Sequence, residues 1–94
     1  MDRIKGLYKA HLNTPFPDLK GEEISGIDLV LIDSDTAGLI SKYIGSRGHL
    51  VDNDWQILKV CNSDLQTVIK ELNDTDRPYF IQLKNIVEQI IDNG

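Results

Sequence analysis

The sequence contains a single cysteine, Cys61, among its 94 residues. One cysteine cannot form an internal disulfide and cannot supply the clustered thiolates of a structural zinc site. Cys61 lies among apolar residues at helical spacing, which predicts a small buried hydrophobic residue rather than a nucleophile. The two histidines, His11 and His49, have no histidine or cysteine nearby in the chain, and we expect both at the surface or in loops. We therefore predict no metal and no cofactor.

Long apolar runs are also missing. No run approaches the roughly 20 residues that a membrane-spanning helix needs. The N-terminal stretch MDRIKGLYKAHLN has basic side chains but lacks the apolar segment of a secretory signal. We expect a cytoplasmic protein without membrane association, folded as one domain over residues 1–94.

Basic residues are the scarcer charged class. Ten lysines and arginines against fifteen acids give a net charge of −5, and Arg3, Lys5 and Lys9 form the only local basic cluster. Such a chain has no general attraction to phosphate backbones, so we expect no nucleic-acid partner. A basic protein partner fits this charge, although acidity is also common in chains that have none.

Two segments of the C-terminal half have the three- and four-residue apolar spacing of amphipathic helices. In 54–72 the stripe consists of Trp55, Leu58, Cys61, Leu65, Val68, Ile69 and Leu72. In 76–92 it consists of Tyr79, Phe80, Leu83, Ile86, Val87, Ile90 and Ile91. The polar stretch 73–75 separates the two, which predicts an antiparallel helical hairpin.

The segment 25–44 is the most ambiguous part of the chain. Its apolar run at 27–32 fits a buried strand as well as a buried helix. Helical spacing then continues to Gly45 through Leu29, Ile32, Thr36, Ile40 and Tyr43. We predict a helix over 28–44, because it explains more of the apolar positions. The β-branched residues and the Ser34-Asp35 pair favour the alternative, a strand over 27–35.

Residues 1–26 give weaker signals. Ile4, Leu7, Tyr8 and Leu12 permit a short helix, and the prolines and glycine of 13–21 indicate an irregular connection. The predicted fold is therefore all-α: a small bundle of three to four helices, with a helical core in 27–94 and a C-terminal antiparallel helical hairpin.

Asp33 and Asp35 are the candidate reactive residues. An apolar strand that ends in Asp-x-Asp resembles the first motif of haloacid-dehalogenase-type phosphatases, where one carboxylate attacks phosphorus and Mg²⁺ neutralises the phosphate. The resemblance implies a divalent-metal or phosphate-handling site at these two residues. Thr36 stands one position too early for that motif, and a short chain with a helical second half does not provide the flanked sheet that the family requires. The site is therefore kept as an alternative only.

The same stretch departs from two other acidic motifs. A calcium-binding loop that starts at Asp33 would have Ala37 and Ile44 at ligand positions five and twelve. An aspartic-protease loop needs a glycine where Asp35 stands. If 28–44 is a helix, at least one of the two carboxylates must reach solvent or a hydrogen-bond donor, because burial of an unpaired carboxylate is costly.

The order of several sequence segments over residues 24–91 resembles that of other proteins. GIDLVLIDSDTAGLISKYI is followed by Gly48 and Leu50, by WQILKVC, and then by Asp64-Leu65 and Tyr79-Phe80. This order resembles a group of small bacterial proteins to which no function has been assigned. The resemblance implies a compact cytoplasmic domain and carries over no catalytic residue.

From these observations we predict a non-enzymatic bacterial protein that acts through protein–protein contact. An immunity- or antitoxin-like role is one concrete version. Asp33, Asp35 and Trp55 are the candidate partner contacts. A homodimer that uses the apolar surface of segment 81–91 is a further option.

Overall fold

The computed structural model describes residues 2–19 and 21–93. Its helices are α1 (Asp2–Leu12), α2 (Leu29–Gly45), α3 (Asp52–Glu71) and α4 (Arg77–Asn93). Two short strands, β1 (Glu23–Ile24) and β2 (Ile27–Asp28), precede α2. The prediction of a small all-α bundle is therefore confirmed.

Helices α3 and α4 form the predicted hairpin. The Arg77 side chain at the start of α4 donates from Nε to the carbonyl of Ile69, 2.9 Å away, near the end of α3. At the opposite end, Trp55 and Ile91 line the same depression. The two helices are thus antiparallel, and the apolar stripes predicted for 54–72 and 76–92 face one core.

The segment 25–44, which the sequence left ambiguous, is helical from Leu29 onward, as α2. Asp28 is its N-cap, with a side-chain oxygen that accepts a hydrogen bond from the Leu31 amide at 3.0 Å. This contact satisfies one of the amides that a helix start leaves without a partner. The buried side of α2 consists of Leu29, Ile32, Thr36, Leu39, Ile40 and Tyr43. The strand alternative for 27–35 is wrong beyond β2, which covers only Ile27–Asp28.

The hairpin of β1 and β2 was not predicted. Ser25 and Gly26 connect the strands with positive φ angles of 53° and 79°, as in a type I′ turn. Ile24 pairs with Ile27, and Glu23 pairs with Asp28. The pairing fixes the chain just before α2 and places Asp28 where it caps the helix.

Helix α1 packs mainly against α4, and its buried residues are Ile4 and His11. The expectation that His11 lies at the surface is wrong, since its side chain is only 3% exposed. The sequence suggested Leu12 as the last residue of the apolar stripe of α1. In the structure His11 is buried at that end of the helix, and Leu12 is exposed. His49 follows α2 in an exposed loop, as expected.

None of the helices in the described ranges is both long and apolar enough to cross a membrane.

Candidate functional site

Asp33 lies on the side of α2 that faces α4. The hydroxyl of Tyr79 donates a hydrogen bond to Asp33 Oδ1 at 2.7 Å. Burial, this hydrogen bond and the negative charge of Asp33 all raise the pKa of the Tyr79 phenol well above its ordinary value. The Tyr79 ring is held by His11, with ring centroids 4.4 Å apart, and by Phe16. Asp33 therefore has a partner inside the protein and connects α2 to α4.

Asp35 lies on the other flank of the same helix. Neighbours two positions apart on an α-helix are rotated by about 200°, and Asp35 lines a groove between α2 and α3 instead of approaching Tyr79. Because α2 is continuous from Leu29 to Gly45, the two carboxylates do not converge as they would after a strand. This geometry does not support the alternative phosphate or metal site.

The groove between α2 and α3 has a volume of about 480 Å³. Its lining residues are Ser34, Asp35, Gly38, Leu39 and Lys42 from α2 and Asp54 and Ile57 from α3. Lys42 Nζ and Asp54 Oδ2 form an ion pair at 3.1 Å across the groove. The two helices run antiparallel, because Lys42 near the end of α2 meets Asp54 near the start of α3.

Large apolar side chains stand exposed beside this groove. Ile57 on α3 is 41% exposed, and Val60, one helical turn further, is 59% exposed. On α2, Leu31 is 59% exposed and shares a helix face with Asp35 and Gly38 through spacings of four and three residues. We call the surface formed by Leu31, Asp35, Gly38, Ile57, Val60 and Asp64 the α2–α3 face.

Asp35 lines the groove from α2, and on α3 Asp64 follows Val60 by four residues, which places Val60 and Asp64 on one face of that helix. Both acids act through their charge on the Cys61 thiol, which lies between the helices. The pKa of Cys61 is raised, first by burial and then by these charges, while a polar contact with Thr36 acts in the opposite direction. A raised pKa lowers the fraction of thiolate, which is the nucleophilic form of cysteine.

Gly38 is the smallest residue of the α2–α3 face. It is an exposed interior residue of α2, and a Cβ added there would meet no atom within 4 Å. No close packing inside the chain therefore requires a glycine at this position. Its effect is to leave a stretch of helix backbone uncovered between the exposed apolar side chains.

Trp55, the third predicted contact residue, is half-buried and lies apart from the α2–α3 face. Its ring packs edge-on against Tyr43, with centroids 6.0 Å apart. It also lines a second depression together with Lys59 and Ile91. The structure thus distributes the predicted contact residues Asp33, Asp35 and Trp55 over three different surroundings.

A larger groove, of about 540 Å³, lies between α3 and α4. It has one strongly exposed apolar side chain, Ile81, at 48%. Its charges are already paired, with Lys84 Nζ 2.9 Å from Glu88 Oε1. The rest of its lining is amide and aliphatic, so among the described residues this groove has no unpaired charge that could select a partner.

Within the described residues, no group of three or more histidine, cysteine, aspartate or glutamate side chains is placed to hold a metal ion. His11 is occupied internally, with Nδ1 2.6 Å from Gln82 Oε1.

Searches of protein-family models, curated proteins and solved structures find no match to this chain.

Proposed function

We propose that this protein acts by binding another protein, without catalysis, and that the α2–α3 face is the contact surface. The observation that carries the proposal is the exposure of Leu31, Ile57 and Val60. Ile57 lines the groove, and Leu31 and Val60 lie on the same helix faces as the lining residues Asp35 and Ile57. Clustered exposed apolar side chains with polar neighbours are typical of interaction surfaces, whereas single exposed ones need no explanation. The fold uses its other apolar stripes to build the core.

The surroundings of Asp33, Asp35 and Cys61 support binding rather than turnover. Asp33 is occupied by Tyr79, and Asp35 faces the other way. The thiol of Cys61 is buried, with a raised pKa. The Tyr79 phenol that donates to Asp33 has a raised pKa and keeps its proton, and among the described residues Asp35 has no side-chain hydrogen-bond partner that could act with it as an acid or a base.

An immunity- or antitoxin-like role in a bacterial cytoplasm is the concrete version that we favour. In this version an acidic chain with net charge −5 covers a basic surface of a harmful partner. Complementary charge accelerates association and discriminates between partners. The partner would then be toxic when produced without this chain.

A matched pair of double variants tests the contact surface. Leu31→Lys/Val60→Lys places two charges on the α2–α3 face, and Leu12→Lys/Ile81→Lys places two charges on other exposed apolar positions. The tagged wild-type protein and both variants are purified from the native host. We expect wild type and the Leu12/Ile81 variant to retain the same stoichiometric partner, and the Leu31/Val60 variant to lose it.

The proposal is contradicted if the Leu31/Val60 variant retains the partner as well as wild type does, or if wild type recovers none. Thermal unfolding of both variants shows whether each remains folded. For the immunity-like version, production of the recovered partner alone should arrest growth, and coproduction of wild type should restore it.

A further inference from the structure

We infer that the partner segment bound by the α2–α3 face is an amphipathic helix with one apolar side and lysine or arginine along its flank. This inference rests on the proposed function and specifies the chemistry of the partner. Three features of the face carry it: its elongated apolar groove, the uncovered backbone at Gly38, and the acids on its two helices.

The groove is shaped for an elongated segment. It lies between two antiparallel helices and continues along them, since Leu31 and Val60 extend the apolar surface beyond the part lined by Ile57. Helices bind such grooves with apolar side chains repeated at three- and four-residue steps. A helix as long as α2, about 17 residues, spans about 25 Å.

Gly38 allows close approach in the middle of this surface. Small residues at helix crossings let two backbones come nearer than larger side chains would permit. An interior glycine alone does not mark such a site, because Gly6 in α1 also has open space around it. Gly38 differs from Gly6 in its neighbours, since exposed apolar side chains flank it on two helices.

The acids of the α2–α3 face favour basic side chains along the flank of the bound helix. Asp35 lines the groove from α2. On α3, Asp64 follows Ile57 and Val60 by seven and four residues, which places it on the same side of that helix. Among residues 2–19 and 21–93, neither acid forms an ion pair. A helix that carries lysine or arginine on its flank supplies the opposite charge to both acids. Lys42, the basic residue of the groove, is already paired with Asp54.

The same charges argue against a second copy of this chain as the occupant. In a two-fold dimer each partner presents the same patch. A two-fold contact through this face would bring Asp35 and Asp64 of both copies into one interface, and the accumulation of like charges there is costly. The bound segment therefore comes from a different chain.

Model peptides test the inference directly. The probe is a peptide of about 18 residues, or about five helical turns, with leucine on one helix side and lysine elsewhere. One comparison peptide has glutamate at every lysine position, and another has the probe composition in an order that gives no apolar side. Backbone amide shifts of the isotope-labelled full-length protein locate each binding site and give its Kd.

We expect the lysine peptide to shift resonances along α2 and α3 and to bind at least ten-fold more tightly than either comparison peptide. Asp35→Asn/Asp64→Asn should weaken its binding about three- to ten-fold. Asp2→Asn/Asp92→Asn, which changes the net charge equally at exposed positions off the face, should leave Kd unchanged. Gly38→Leu should weaken binding about ten-fold, whereas Gly6→Leu should have no effect.

The inference is overturned if the lysine peptide does not bind, if its shifts map to another surface, or if the glutamate peptide binds equally well. It is also overturned if light scattering gives a dimer mass that Leu31→Lys/Val60→Lys returns to the monomer. The proposed function is tested separately, by purification from the native host. If the Leu31/Val60 variant loses the native partner there, the proposed function holds even when the peptide experiment overturns the inference. Retention of the native partner by that variant removes the proposed function itself.

Discussion

Asp33 and Asp35 are two positions apart in sequence, yet they have different surroundings in the fold. Asp33 accepts the hydroxyl hydrogen of Tyr79, and this contact provides the donor that a carboxylate on the edge of a core helix requires. Asp35 remains available on the α2–α3 face. Of the two, we therefore propose only Asp35 as a partner contact.

Replacement of Tyr79 by phenylalanine tests the structural role of Asp33. The Tyr79→Phe variant keeps the ring against His11 and Phe16 but leaves the carboxylate without its donor. We expect a loss of about 1 kcal/mol in the free energy of unfolding at pH 7. Tyr43→Phe serves as the control, since no hydrogen bond of the Tyr43 hydroxyl is found in the described residues, and it should change stability by less than about 0.5 kcal/mol.

The pH dependence of this loss has a defined sign. The phenol of Tyr79 has a raised pKa in the folded protein, whereas in the unfolded chain it titrates near 10. The folded state therefore holds this proton more tightly, and the resulting stability is present below about pH 10 and declines as the pH rises further. Urea unfolding at pH 8 and pH 11 should show the gap between wild type and Tyr79→Phe narrowing. A gap that widens at pH 11 would contradict the assignment.

At the level of the helices, Gly38 lowers the stability of α2. Glycine inside a helix costs roughly 0.5–1 kcal/mol relative to alanine, and the space around Gly38 accepts a methyl group. We expect Gly38→Ala to raise the free energy of unfolding by that amount in urea titrations. Gly6→Ala, in equally open surroundings, should give a similar gain. A loss of stability on Gly38→Ala would show that the fold itself requires this glycine.

The helices could be predicted where their apolar stripes are long. The segments predicted at 54–72 and 76–92 correspond to α3 at Asp52–Glu71 and α4 at Arg77–Asn93. An apolar stripe that keeps helical spacing over several turns does not fit the two-residue alternation of a strand. Helix α2 was identified by its length, since the run at 27–32 alone could not separate strand from helix.

Two local features escaped prediction for physical reasons. The β1–β2 hairpin has only two residues in each strand, too few to show alternation, and its one signal was the Ser25-Gly26 pair in a turn that needs positive φ. The burial of His11 was also missed. The signal was its place on the α1 stripe, seven residues after Ile4, but a histidine there requires partners such as Gln82 that the sequence order does not reveal.

At the level of the whole molecule, the α2–α3 face could not be predicted from one sequence. An amphipathic pattern shows which side of each helix is buried, but the flanks that remain open depend on how the helices pack together. Leu31 and Val60 lie outside the buried stripes, and only the packing of α2 against α3 brings the helix faces that carry them to the two sides of one groove.

The distribution of charge is also a property of the whole molecule. The net charge of −5 raises the general preference for basic partners, and the packing places Asp35 and Asp64 beside uncovered apolar surface. A surface that combines both features gives apolar contact for affinity and charge for selection.

Photo-crosslinking in the native host tests the proposed contact surface most directly. A benzophenone amino acid replaces either Ile57, on the α2–α3 face, or Ile81, which is exposed to a similar degree on α4. We predict one discrete adduct from position 57, no adduct from position 81, and loss of the position-57 adduct when Leu31→Lys is added. An adduct from position 81 alone, or no adduct from either position, would contradict binding through the α2–α3 face.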